Sequence, residues 1–276
     1  MIGSIRDTLP GIGGVILSCF TLSMTSVSDT TEFPAGIHFP SRNSIMMPGE
    51  ELVYEVSWTW FKLGTIRLKS MQGYSAEAQI DSYPDIPFVN LHSVQYSTMD
   101  SLFFSLASRS AEKKDGDWTG LRYLTDTTDN RLFVEETHHK QPDAEPYRRA
   151  WKDTIQLESP FFVDGLSIGY FPRLFVHTVQ TIAVPTVLYG KLGLTTFRFT
   201  NEKTTESLDV LDDPVKVIEV KGTTTVEGVF GMTGDFTGWF SDDSAAVPIK
   251  GRLKVLIGNV TVELIAWRRD GWQPPQ

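Results

Sequence analysis

Two adjacent carboxylates, Asp242 and Asp243, stand in the run Trp239-Phe240-Ser241-Asp242-Asp243-Ser244. Paired carboxylates can hold a hard cation or divide acid and base roles in hydrolysis. A Ca²⁺ site needs several oxygens converging on one point, whereas neighbouring side chains of an extended chain diverge. Asp and Ser also suit a turn, because their side chains bond nearby backbone N–H groups. Trp239, Ser241, Asp242 and Asp243 are therefore read as a structural motif, with a metal or ligand contact as the alternative. Asp164 and Arg173 bracket a second candidate, Asp164-Gly165-Leu166-Ser167-Ile168-Gly169-Tyr170-Phe171-Pro172-Arg173. A guanidinium–carboxylate fork fixes geometry strongly. Arg173 could close on Asp164, or reach Asp242 or Asp243, as a structural clasp. The sharper reading makes Arg173 a ligand-binding residue for an anionic headgroup.

A third candidate is aromatic. Tyr54, Trp58 and Trp60 share one parity in an alternating run. Burying each ring is worth about 2–3 kcal/mol. They form either plain sheet core or the lining of a cavity for an apolar or amphiphilic ligand. The five histidines (His38, His92, His138, His139 and His177) show no metal-ligand spacing, and adjacent strand residues such as His138 and His139 point to opposite faces. No nucleophile elbow and no dinucleotide fingerprint occurs. The Gly-rich run 228–234 lacks the Lys and following helix of a phosphate loop. No catalytic residue, cofactor or metal is expected.

The elements that must position these residues read as antiparallel β. Leu52, Tyr54, Val56, Trp58 and Trp60 alternate with Glu51, Val53, Glu55, Ser57 and Thr59, a period of two. After Gly64, Ile66 and Leu68 alternate with Arg67 and Lys69, so the pair predicts a hairpin. Ala76, Ala78 and Ile80 make a weaker third strand. Further strands are predicted at 121–124, 131–134, 182–184, 186–189, 194–200, 215–221, 224–229 and 235–240. The parity of apolar residues flips at Gly258-Asn259, between Leu253-Val255-Ile257 and Val260-Val262-Leu264. That flip is read as a bulge or tight bend in preference to a turn between two strands. Helical signal is limited to 164–171, with Asp164 as N-cap and Pro172 as its limit, and a weaker candidate at 101–111. The charged stretch 138–146 reads as a surface loop.

The composition is globular: 276 residues, 41% hydrophobic and 12% aromatic. A net charge of −9 gives no footprint for nucleic acid. One cysteine permits no internal disulfide and no Cys-based zinc site. That residue, Cys19, lies in 1–28, where Arg6 precedes an uncharged, apolar stretch too short and too rich in Ser and Thr for a membrane span. Residues 1–28 are read as a signal peptide with cleavage after Ser28. Ile16-Leu17-Ser18-Cys19 loosely matches a lipidation signal, with an incidental cysteine favoured. Residues 29–48, with three prolines and little periodicity, form a leader that lies across the domain or stays loose. Residues 49–276 form a single antiparallel β domain.

Three blocks of that domain resemble the bacterial domain of unknown function 3108 family. They are Gly49–Lys69, with its Gly-Glu, Tyr, aromatic and later Gly; Asp164–Arg173; and Gly238–Leu264, with its Trp-x-Ser-Asp-Asp…Pro…Gly…Leu pattern, which is the most specific. Order and spacing match over about Gly49 to Ala266. The resemblance implies an exported envelope protein with a curved, barrel-like antiparallel β fold, and supplies no catalytic residue.

The sequence thus leads to three expectations. The fold is mainly β, a curved antiparallel sheet forming a barrel-like or clam-like domain with one or two short helices. The chain is exported, periplasmic or outer-membrane associated. Its function is non-catalytic binding of a lipid or other apolar small molecule on an aromatic-lined β face, through Tyr54, Trp58, Trp60 and Arg173. The alternatives are a ligand-free structural or interaction domain that packs on an envelope protein, and a hydrolase using Asp164, Asp242 or Asp243. Nothing in the sequence sets an oligomeric state.

Overall fold

A computed structural model of the chain describes residues 42–276 apart from 85, 87–89, 115, 228–232 and 256–257. Residues 1–28, read above as a signal peptide, together with Cys19, His38 and most of residues 29–48, lie outside the described residues. The described domain is one antiparallel sheet of fourteen strands. They are β1 (Glu51–Trp58), β2 (Phe61–Met71), β3 (Ser75–Ser82), β4 (His92–Met99), β5 (Ser105–Lys114), β6 (Asp117–Asp126) and β7 (Arg131–His139). After β8 (Arg148–Gln156) come β9 (Gln180–Leu188), β10 (Lys191–Glu206), β11 (Val215–Thr224), β12 (Gly234–Ser241), β13 (Pro248–Lys254) and β14 (Asn259–Arg268).

The order across the sheet is β8-β7-β6-β5-β4-β3-β2-β1-β14-β13-β12-β11-β10-β9. Every neighbour is a hairpin partner except one pair, β1 and β14, which joins the two ends of the domain along Glu51↔Arg268 to Trp58↔Val260. The sheet curves without closing, and its two edges are β8 and β9. The chain passes from one edge to the other through residues 157–179, which carry a short helix α1 (Ser167–Tyr170) and a 3₁₀ turn (Phe171–Leu174). This segment is the interior plug: Phe162, Val163, Tyr170, Phe171, Leu174, Phe175 and Val176 are all buried. It carries the first predicted helix, which continues through Pro172 as a 3₁₀ turn, because Pro in the first turn forfeits no needed N–H.

Alternation explains most strands. In β1 the pattern of burial is strict, with Leu52, Tyr54 and Val56 inward. Other elements correct the sequence expectations. Residues 101–111 are not helical. Phe103 takes a φ of 65°, Asp100 Oδ1 accepts from Leu102 and Phe104 N–H, and the chain continues as β5 between β4 and β6. The Gly258-Asn259 break is a turn between two strands, not a bulge. Gly258 has a φ of 80°, and Lys254 pairs with Asn259 and Leu253 with Val260. The parity flip is what a hairpin produces when directly opposed residues share a face. The runs at 182–184 and 186–189 fuse into β9 across Pro185, which is tolerated because β9 is an edge strand. Strands β4 and β8 lack an apolar signal: β4 turns serines inward, and β8 is a largely exposed edge. His138 and His139 close β7 and so precede the loop expected to contain them. The leader's last residues are anchored, with Ile45 and Met46 buried.

Candidate functional site

The central element is organised by Asp164, whose side chain is buried. Its Oδ1 accepts from the N–H groups of Leu166 (2.8 Å) and Ser167 (2.9 Å). Its Oδ2 accepts from the hydroxyls of Ser97 on β4 and Ser105 on β5, both at 2.6 Å. The Ser167 hydroxyl in turn accepts from the Asp164 N–H at 2.6 Å. The helix begins at Ser167 with Leu166 in the N-cap position, so the cap expected at Asp164 is displaced by two residues. From ahead of the helix the Asp164 carboxylate still takes up the Leu166 and Ser167 N–H groups and pins the segment to the sheet. Four donors to one carboxylate compensate its burial without a cation.

Arg173 does not meet Asp164, Asp242 or Asp243. Its side chain is fully buried, donates from Nη1 to Glu50 Oε1 (3.3 Å), and sends Nε and Nη2 to the Ala245 carbonyl (3.1 and 2.9 Å). Glu50 also receives Ser70 Oγ at 3.1 Å and the guanidinium of Arg269, which reaches on to the Ser44 and Ile45 carbonyls. An Arg–Glu–Arg triad thus ties the start of β1, the plug, the end of β14 and the leader together. The placement of Arg173 as a headgroup ligand is corrected: no solvent-facing surface remains to it.

The Asp242-Asp243 motif is a structural turn. Asp243 Oδ1 accepts from the Ser241 hydroxyl (2.9 Å) and from the N–H groups of Ala245 (2.9 Å) and Ala246 (3.0 Å). Its Oδ2 accepts from Trp272 Nε1 at 2.7 Å, and Ser241 Oγ accepts from the Val247 N–H at 2.8 Å. The turn aims the Ala245 carbonyl at Arg173. Asp242 faces Lys203 at 2.9 Å. Trp239 is buried in the core cluster that includes Leu52, Tyr54, Val247 and Trp272. Among the described residues no group of three or more His, Cys, Asp or Glu is placed to hold a metal ion.

Between the sheet and the plug lies a cavity of about 400 Å³. Tyr54, Leu68, Ile80, Phe197, Phe236 and Leu253 are among its apolar walls. Its volume falls within the roughly 300–1,000 Å³ of small-molecule sites. Small residues at inward positions leave the space. Gly238 faces Gly251 across the β12–β13 pair, and Gly165, Gly169, Ala78, Ser108 and Ser110 also touch it. A Cβ added at Gly251 or Gly169 would meet nothing within 4 Å. Burial pushes the phenol of Tyr123, another wall residue, up to about 12. Burial likewise raises the Tyr54 phenol, which donates to the Pro248 carbonyl at 3.0 Å.

The expected stripe Tyr54-Trp58-Trp60 is not one face. Tyr54 lines the cavity, whereas Trp58 is 37% and Trp60 80% exposed. β1 ends at Trp58, and Thr59, with a φ of 54°, begins the two-residue connection to β2, so the period of two stops there. The exposed rings cluster with Phe61, whose centroid is 5.5 Å from that of Trp60. Sequence reasoning missed Glu50, Arg269, Gln95 and the inward serines Ser97 and Ser105. Glu50 stood inside the first family-like block as its Gly-Glu pair, and the Gly238/Gly251 parity was readable once the strands were paired.

No family model and no curated protein matches the chain. A solved structure does: the crystal structure of a β-barrel-like protein of domain of unknown function DUF1849 from Brucella abortus is similar over 81% of this chain and 98% of its own, at 10% identity and a TM-score of 0.50. The mainly β, barrel-like character of the fold is thereby shared with a protein of a domain family of unknown function.

Proposed function

We propose that this chain is a non-catalytic, exported binding module that shelters an apolar or amphiphilic small molecule in the cavity between its curved sheet and its plug. The observation that carries the reading is the cavity itself, since glycines, alanine and serines at inward positions keep open a space that larger side chains would fill. The signal-like segment 1–28 supports export, and the three sequence blocks support distant kinship with the domain of unknown function 3108 family. Catalysis by the aspartates has little to support it: Asp164 and Asp243 spend their oxygens on structural donors, and Asp242 is paired with Lys203. A second reading, docking to an envelope partner, is favoured by one feature, the exposed Trp58-Trp60-Phe61 turn.

Native mass spectrometry of the gently purified full chain tests the proposal. The expected result is a bound apolar mass that is absent from a Gly251→Leu variant, whose new side chain occupies the cavity, and retained in Trp60→Ala. A ligand-free wild-type protein that also fails to take up decanol overturns it.

A further inference from the structure

The cavity's polar groups identify the kind of head its occupant carries; this inference rests on the binding reading above. The charged residues at the wall each have partners elsewhere. Asp164 is filled by four donors. Lys250 sits between Glu263 at 2.8 Å and Glu206 at 3.6 Å. The Arg109 guanidinium lies 3.9 Å from the centroid of the Tyr96 ring and donates to the Pro142 carbonyl at 3.3 Å. The carboxylate of Asp164 adds to the burial that raises the Tyr123 phenol, so the field it casts into the wall is negative. Of the two cations, Arg109 alone has no carboxylate partner among the described residues. It alternates with Ser108 and Ser110 along β5, which sets its guanidinium on the other face against Tyr96. An anionic head held on the Ser108 face would therefore lose its water without a facing cation to compensate it.

Two uncharged side chains at the wall behave differently. The Gln95 carboxamide and the Ser108 hydroxyl both line the cavity, and neither side chain bonds another described residue. They lie on adjacent strands: Gln95 pairs directly with Ser110, which places Ser108 diagonally from it on the same face. A Cβ at Gly165 would sit 3.0 Å from Gln95 Oε1, so the glycine gives the carboxamide its room at the edge of the plug. Together the pair offers an amide donor, a carbonyl acceptor and a hydroxyl that can act as either.

We infer that the cavity selects uncharged amphiphiles, an apolar body with one neutral hydrogen-bonding head such as a hydroxyl, ester or amide, and that Gln95 and Ser108 read that head. A site with polar groups left unpaired by the wrong ligand discriminates far more sharply than an apolar wall does.

Isothermal titration of the full chain at pH 8 with decanol and with decanoate tests this. Decanol is expected to bind about ten-fold or more tightly than decanoate, which is ionised at that pH. Gln95→Leu and Ser108→Ala, each checked for folding by circular dichroism, are each expected to weaken decanol by about five-fold or more. Decanoate binding as tightly as decanol overturns the inference and leaves the cavity reading standing. A decanol preference that neither variant alters overturns the assignment of Gln95 and Ser108. If neither compound binds, the cavity reading falls together with the inference.

Discussion

Glu50→Ala removes the one carboxylate that two buried arginines share. Glu50 is 1% exposed, Arg173 fully buried and Arg269 7% exposed. Breaking a buried ion pair from one side costs about 3–5 kcal/mol, because the abandoned charge stays in a poorly solvated site. Two guanidinium groups are abandoned here, which raises the cost. Carbonyl acceptors remain to both, Ala245 for Arg173 and Ser44 and Ile45 for Arg269, which lowers it. The expected loss is ~4 kcal/mol, a large share of the roughly 5–15 kcal/mol that holds a domain folded. At about 2–4 °C per kcal/mol for a chain of this size, the midpoint of thermal unfolding drops by about 8–16 °C. Urea unfolding followed by tryptophan fluorescence measures the loss directly, since Trp272 and Trp239 pack beside the triad's carbonyl turn. Arg173→Met is expected to cost less, because the Glu50–Arg269 pair survives it. Replacing all three by Leu and Met recovers most of the stability, since an apolar filling avoids the desolvation cost of the charges. A Glu50→Ala loss under about 1 kcal/mol, or an Arg173→Met loss exceeding it, refutes the reasoning.

Four further outcomes follow from the geometry. Asp164→Ala strands the Ser97 and Ser105 hydroxyls and two plug N–H groups, and is expected to cost about 3 kcal/mol in urea unfolding, against about 1 kcal/mol for Ser97→Ala. Gly222→Ala is expected to cost about 1–3 kcal/mol, as its Cβ would lie 2.3 Å from Phe236 Cζ and 2.4 Å from the Thr196 carbonyl oxygen. Gly251→Ala, with open space before it, stays within about 0.5 kcal/mol of wild type, and so does Trp60→Ala. Alkaline pH should unfold the domain. Burial raises Tyr123 to about 12 and raises Tyr54 and Tyr170 as well. The folded state thus keeps protons that the unfolded chain releases near pH 10, and stability holds below that value and falls as pH climbs toward 12. Tyrosinate absorbance at those three positions should appear together with loss of near-UV dichroism; titration of all phenols near pH 10 in a still-folded protein would contradict the burial argument.

Local pattern carried much of the architecture. A period of two in β1, β2 and β3 needs only the chemistry of successive side chains, because the pleat sends neighbours to opposite faces whatever the partner strand is. The same holds for the Asp243 turn and for the Asp164 carboxylate ahead of the short helix, whose bonds run to backbone groups two or three residues away, although the helix itself is capped at Leu166. What escaped the sequence depends on distance along the chain. β4 and β8 have no apolar stripe, and only their neighbours make them strands. Whether Gly258 marks a bulge or a turn is settled by the pairing of β13 with β14. Trp58 and Trp60 continue the parity of Tyr54 in the sequence, yet the strand ends beneath them. Arg173 is 123 residues from Glu50 and 72 from Ala245, so nothing local distinguishes it from an exposed arginine looking for an anion. The cavity exists because Gly238 and Gly251 meet in register beneath a plug drawn from between the two sheet edges. An inward glycine leaves a void only when what stands opposite also fails to fill it, and that opposition is decided by the folded chain.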